Sequence, residues 1–326
     1  MTSPRLHTNL QRCGNSTEPM PSFLAIGECM VELSDAGHGL LRQGFAGDTF
    51  NTAWYARQLL PAAWSVSYLT ALGDDPISGE MRAFMQAAGV DTTPIRVIAG
   101  ASPGLYLITV KDGERSFTYW RDTSAAKRLA DDPAHVERHC ASADVLHFSA
   151  ITLGILPPDA AITLIRILGE ARARGALVSF DTNYRPKVWR GRSDAASLFL
   201  EAARVSTVVL PGLDDEQAVF GDFSSDAVAK RYMACGARVV VVKNGARGAD
   251  VYDGAQMVHV PASPSPAIVD TSAAGDSFAA GFLTRYAQRG DAVDAARHGA
   301  DVAADVISHR GALAPLSSAV LAAARI

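Results

Sequence analysis

Between a strand-like run and a long helical stretch the chain reads Asp270-Thr271-Ser272-Ala273-Ala274-Gly275-Asp276, followed by Ser277-Phe278. Small side chains let a ligand come close to the backbone, and the start of the next helix offers free N–H groups and the positive end of its dipole. Such a place suits an anion that gains charge in a transition state. Asp276, in the first turn, is placed to accept a proton from a substrate hydroxyl. The same residues also satisfy a plain helix start with Asp276 complementing the dipole, and spacing alone leaves both open. A second helix start, Ala46-Gly47-Asp48-Thr49-Phe50-Asn51, is equally polar and also reads as a simple capped terminus. Lys243-Asn244-Gly245-Ala246-Arg247-Gly248 follows a strand-like run. Gly245 and Gly248 permit tight turning there, and Lys243 or the backbone amides could meet phosphate; a lone glycine-rich segment is equally a simple turn.

These segments sit in a chain of alternating strands and helices. Phe23–Leu33 is apolar and strand-like, interrupted by Gly27 and Glu28. A helix is expected from Asp48 to about Leu60, a strand over Ser65–Leu72, and a helix over Ile77–Ala88 that ends at Gly89. Asp144–Ser149, Ala176–Asp181, Val205–Leu210 and Arg238–Val242 are short β-rich runs. Helical stretches over Pro158–Arg174, Asp194–Ala203 and Asp226–Ala234 lie between them. Two helices, Ala274–Gln288 and Asp291–Ser308, follow. Buried strands separated by helices predict an α/β fold with a mostly parallel sheet covered on both faces. Gly39–Ala46 and Leu105–Arg121 break this rhythm. The second reads as a hairpin turning at Asp112-Gly113, part of a small antiparallel sheet that would make a lid from residues 34–46 and 103–123.

Composition narrows the partners. The chain has 326 residues, 48% hydrophobic and 20% charged, with a net charge of -4. No Lys/Arg-rich run argues for nucleic acid or an anionic membrane, and no apolar run is long enough to span a bilayer. Residues 1–22 are polar, contain proline and lack the apolar segment of a secretion signal, so they read as a disordered leader before a folded unit over 23–326. Cys13, Cys29, Cys140 and Cys235 form no CxxC pair and read as reduced thiols of a cytoplasmic protein. The eight histidines form no ligand cluster, and His147, inside an apolar strand, reads as a core or pocket-wall residue. No P-loop sequence is present, and no G-x-G-x-x-G follows a strand.

The DTSAAGD segment resembles the D-T-x-G-A-G-D signature of the ribokinase-like (PfkB) carbohydrate kinases, with Ala273 where the family usually carries Gly. In that family the last Asp is the catalytic base and the small residues before it form an anion hole, which implies these roles for Asp276 and for Ala273, Ala274 and Gly275. Ala46-Gly47-Asp48-Thr49-Phe50-Asn51 resembles the family's G-G-x-x-x-N, implying that Gly47, Asp48 and Asn51 hold sugar hydroxyls. Lys243, Gly245 and Gly248 match K-x-G-x-x-G, which borders the nucleotide. Further segments resemble the 2-keto-3-deoxygluconate kinase branch. These are Gly27–Leu33, Pro103-Gly104-Leu105-Tyr106, Tyr119-Trp120-Arg121, and Asp181-Thr182-Asn183-Tyr184-Arg185-Pro186 with Trp189 beyond it. The resemblance covers residues 23–315.

What the resemblance implies is a three-layer α/β/α sandwich with a β lid, ATP and Mg²⁺ as cofactors, and phosphorylation of the 6-hydroxyl of 2-keto-3-deoxy-D-gluconate. Tyr106, Tyr119, Arg121 and Arg185 would reach the substrate and Asn183 the cofactor side. An arginine fork binds a carboxylate bidentately in a way lysine does not copy. Arg121 and Arg185 are therefore the carboxylate candidates, with a surface ion pair as the alternative for each. The family's N-x-x-E, which organises Mg²⁺ largely through water, aligns with Gly212-Leu213-Asp214-Asp215. The Asn is absent, and either Asp215 or Glu216 supplies the carboxylate unless both merely favour a helix N-terminus. A homo-oligomer, such as a dimer through the lid, is implied as well. A kinase for a neutral sugar such as fructose or ribose and a non-catalytic sugar-acid sensor are the alternatives; a nicotinamide enzyme lacks its fingerprint.

Overall fold

The short β-rich runs pair side by side. In the computed structural model, which describes residues 20–111, 114–265 and 267–325, they form an eight-stranded sheet. Its order is Gln256–Val260, Ala249–Asp253, Val239–Lys243, Val208–Leu210, Leu177–Asp181, Val145–Ser149, Ser22–Ile26 and Ser65–Leu69. The last six are mutually parallel, while Ala249–Asp253 and Gln256–Val260 add an antiparallel edge. Every residue of Val145–Ser149 and Val208–Leu210 is buried, which is why these strands do not alternate in polarity.

Successive side chains of one strand feed two different cores, as the two-residue period of a strand requires. Leu24, Ile26, Val240 and Val242 pack on one face with Leu164, Phe199 and Tyr232 of the helices Pro158–Ala173, Ala195–Arg204 and Ser225–Ala234. Phe23, Ala25, Val239 and Val241 pack on the other with Phe50, Met81, Phe282 and Ala295 of the helices Asp48–Leu59, Pro76–Ala87, Ala274–Arg289 and Ala292–Val306. Each fully buried aliphatic or aromatic side chain stabilises this arrangement by roughly 1.5–3 kcal/mol before entropy is counted.

The expected single strand Phe23–Leu33 is two strands in two sheets. Ser22–Ile26 belongs to the body, and Met30–Gly37 is an inner strand of a four-stranded sheet ordered Leu40–Ala46, Met30–Gly37, Leu105–Lys111, Glu114–Trp120. The chain breaks at Gly27 because it passes between two helix starts: a Cβ there would lie 2.3 Å from Thr49 Oγ1 and 2.8 Å from Thr152 Oγ1. The small sheet is mixed, not antiparallel as expected, since Met30–Gly37 runs parallel to Leu105–Lys111. The hairpin pairs Leu105–Lys111 with Glu114–Trp120; its Asp112-Gly113 turn and residues 1–19 of the leader lie outside the described residues. The helix Pro133–Ala141 and the Ala249–Val260 hairpin were not foreseen, and the helix start offered for Asp215 and Glu216 is that of the helix Leu213–Phe220. Among the described residues no helix is long and apolar enough to cross a membrane. Cys29 and Cys140 are buried free thiols and Cys235 is a half-buried one.

Candidate active site

The strand ends of the body and the small sheet enclose a cleft of about 1420 Å³. It gathers residues from distant parts of the chain. Gly47, Asp48, Asn51, Asn183, Lys243 and the Ala273–Asp276 turn border it from the body, and Tyr106, Tyr119 and Arg121 from the small sheet. Arg185 stands at its edge with half of its side chain exposed.

Asp276 lies in the first turn of the Ala274–Arg289 helix, which begins after Ala273 in the left-handed region (φ 58°, ψ 16°). That conformation costs an alanine roughly 1–2 kcal/mol, so the turn is held by its surroundings. The helix is locked to its neighbour Asp48–Leu59: Asn51 Nδ2 donates to Asp276 Oδ2 at 2.8 Å, and Thr52 Oγ1 donates to the Asp276 carbonyl at 3.2 Å. Burial, and then the negative charge of Asp48, push the Asp276 carboxyl up to about 7, against the Asn51 hydrogen bond and the Lys243 ammonium. The result is a carboxylate that is basic near neutral pH and fixed in orientation.

Two further pairs flank it. Asn183 Nδ2 donates to Asp48 Oδ2 at 2.9 Å, linking the two polar motifs across the cleft floor. Lys243 Nζ donates to Asp181 Oδ2 at 2.6 Å, while Asp181 Oδ1 accepts from the Asn183 amide at 3.1 Å. Asp181 is buried and was missed as a site residue, although it opens the recognised D-T-N-Y-R segment and is a carboxylate at a strand end. His147 is buried beneath this floor, with Nδ1 3.3 Å from Ser179 Oγ, and burial pushes it down to about 4.

The small sheet contributes charge that already has partners. Arg121 forms an ion pair with Glu28, and the Tyr106 hydroxyl donates to Glu32. Tyr119 lies beneath two cations, with the Arg121 guanidinium carbon 5.8 Å and Lys187 Nζ 5.4 Å from its ring centre. Arg185 Nη1 lies 3.8 Å from Asp215 Oδ1.

Four expected site residues do not border the cleft. Gly245 (φ 59°) and Gly248 (φ 91°) shape the turn after Lys243. Gly248 is needed because a Cβ there would lie 2.1 Å from the Val260 carbonyl of the neighbouring hairpin strand. Glu216 points inward, fully buried, where it accepts from the Tyr232 hydroxyl at 2.8 Å and from Arg231 at 2.9 Å. Burial raises it to about 7 against those donors. Asp215 keeps an exposed edge and sits among Arg185, Lys243 and Asp181; burial raises it to about 6. Among the described residues no group of three or more His, Cys, Asp or Glu forms a metal cage.

Residues 20–319 match the pfkB family carbohydrate kinase model. The chain is 41% identical over 300 residues to the 2-dehydro-3-deoxygluconokinase of Dickeya dadantii, covering 90% of this chain and 96% of that one. It is also 41% identical over 297 residues to the enzyme of the same name from Escherichia coli K12, covering 89% and 96%. A putative ribokinase II from E. coli, solved with ATP and Mg²⁺, superposes with a TM-score of 0.78 at 21% identity, covering 90% and 94%. A match that spans nearly the whole folded part, with a carboxylate at a helix start on the floor of a strand-end cleft, has one meaning: the chain belongs to the pfkB family of carbohydrate kinases.

Proposed function

We propose that this protein transfers the γ-phosphoryl group of ATP to the 6-hydroxyl of 2-keto-3-deoxy-D-gluconate. The observation that carries the reading is Asp276, an oriented carboxylate raised toward neutrality at a helix N-terminus inside a cleft that also presents arginine. Relatives at 41% identity that bear the name of this activity support the substrate.

Asp276 takes the proton of the 6-hydroxyl as that oxygen forms its bond to the γ-phosphorus and the bond to the bridging oxygen breaks, leaving ADP. The protonated acid is the form its burial favours, so the transfer runs with the field of the site. The first-turn amides at Gly275 and Asp276 have no intrahelical acceptor and face the side where negative charge builds. Asn51 and Asp48 hold the sugar end, and Lys243, set by Asp181, meets phosphate. Much of the rate then comes from positioning and fixed electrostatics.

The donor set suits Mg²⁺ held mainly by nucleotide phosphates and water: Asp215 offers one partly exposed carboxylate beside Asp181, without an all-protein cage. Bound there, the ion would neutralise phosphate charge.

A kinase for a neutral sugar is the second reading. It is favoured by the acidic partner that each candidate arginine already has, Glu28 for Arg121 and Asp215 for Arg185. An ATP-coupled assay of 2-keto-3-deoxygluconate against fructose and ribose decides. A higher kcat/KM for the acid is expected, and a preference for either neutral sugar would sink the proposal.

A further inference from the structure

Glu28 has no part in the proposed chemistry, yet the fold is built around it. It lies in the three residues between the body strand Ser22–Ile26 and the small-sheet strand Met30–Gly37. Its side chain is 1% exposed and its only charged partner among the described residues is Arg121, which is 14% exposed and reaches the cleft. One carboxylate oxygen of Glu28 and the Nε of Arg121 have no hydrogen-bond partner. A buried pair left partly unsatisfied is a poor way to stabilise a fold, since apolar side chains of similar volume do as well or better. The surroundings are nevertheless cut to fit it. A Cβ at Gly104 would come 2.8 Å from Glu28 Oε1 and 3.1 Å from Arg121 Cβ. A Cβ at Gly47 would come 2.1 Å from the Glu28 carbonyl. Glu28 therefore touches the backbone of the sugar-holding motif on one side and the guanidinium on the other.

We propose that Glu28 is a positioning residue that holds the Arg121 guanidinium in the cleft in the orientation that grips the carboxylate of the substrate. This rests on the reading of the substrate as a sugar acid. A guanidinium has five N–H donors in a fixed plane, so the bond to Glu28 sets that plane and leaves other donors for a second carboxylate. Glu32, four residues further on in the strand Met30–Gly37, likewise accepts a hydrogen bond from a cleft residue, the Tyr106 hydroxyl. The negative charge of Glu28 opposes an anionic substrate, so hold and charge predict opposite signs on removal.

The test is steady-state kinetics of Glu28→Ala, Glu28→Gln, Arg121→Ala and the double Glu28→Ala/Arg121→Ala, with wild type run on the acid and on fructose. Loss of a charge-assisted contact corresponds to about tenfold or more in affinity. KM for the sugar acid should rise by that factor in Glu28→Ala and by less in Glu28→Gln, which keeps an acceptor. The KM for ATP should stay unchanged, and kcat should change by less than about threefold. The double variant should be no worse than Arg121→Ala. If Glu28→Ala does not fold, Glu28→Gln carries the test. A KM at or below wild type in Glu28→Gln, or additive losses in the double variant, overturns the positioning role. Wild-type preference for fructose removes the substrate reading, and an Arg121→Ala variant with normal KM for the acid removes the premise about Arg121; each is recognisable without the Glu28 variants.

Discussion

Asp276 is pulled in two directions, since burial makes it a stronger base but also keeps more of it protonated at a given pH. Replacing it by Asn should leave the fold intact, because an amide oxygen can still accept from Asn51. Turnover should fall by about 10²–10⁴, the usual worth of a general base, in a coupled ATP assay. The same shift has a stability consequence. The carboxyl is raised from 3.8 to about 7, so between those values the unfolded chain releases a proton that the folded chain keeps. Wild type loses stability as pH rises through that window, and the Asn variant does not. Urea titrations should find Asp276→Asn gaining on wild type from pH 4 to 7, with the difference constant above. In wild type the acid limb of kcat/KM should fall near pH 7, not near 4. Asp48 raises that value by its charge, so in Asp48→Asn the limb should move to lower pH while overall activity falls. An unmoved limb would assign it to another group.

Helices Ala274–Arg289 and Ala292–Val306 place the turn that carries Asp276, and they touch through backbone. A Cβ on Gly281 would lie 2.9 Å from the Gly299 Cα, and one on Gly299 2.8 Å from the Phe278 carbonyl. The close approach keeps the first helix pressed against Asp48–Leu59, where Asn51 and Thr52 grip Asp276. Gly281→Val should force the pair apart and cost about 1–3 kcal/mol in urea unfolding. Because the strain is passed to the turn that carries Asp276, kcat should fall too, although residue 281 is remote from the substrate. An unchanged unfolding midpoint would show that the two helices have room to spare.

Across the whole molecule, body and small sheet meet over the cleft, and Lys187 bridges them. Its Nζ donates to the Phe117 carbonyl at 2.8 Å and stands over Tyr119, while the residue itself follows the body strand Leu177–Asp181. Lys187→Met keeps the apolar stem and removes the bridge. A hydrogen bond from a charged donor on the protein surface is worth about 1 kcal/mol, so KM for the sugar should rise by about fivefold. KM for ATP should hold, because the nucleotide is proposed to lie on the Lys243 side. Equal changes in both constants would mean that the bridge supports the fold and not closure over the sugar.

Much of this was legible in the amino-acid order. The small-residue turn before Asp276, the Gly47–Asn51 helix start and the alternation of strands and helices are local features. Each depends on neighbours a few positions away. What the order could not tell was which distant groups would meet. Lys243 and Asp181 are 62 positions apart, and Arg121 and Glu28 are 93 apart. Their pairing exists only because parallel strands with long crossovers bring their C-terminal ends, and the root of the small sheet, to one cleft. For the same reason an acidic pair at a helix start divides, with Asp215 half-buried beside Arg185 and Glu216 turned onto Tyr232 and Arg231. Likewise one apolar run becomes two strands where Gly27 must pass between two threonines. Side-chain chemistry is a property of the residue, but electrostatic environment is a property of the packing around it, and that is set by tertiary contact alone.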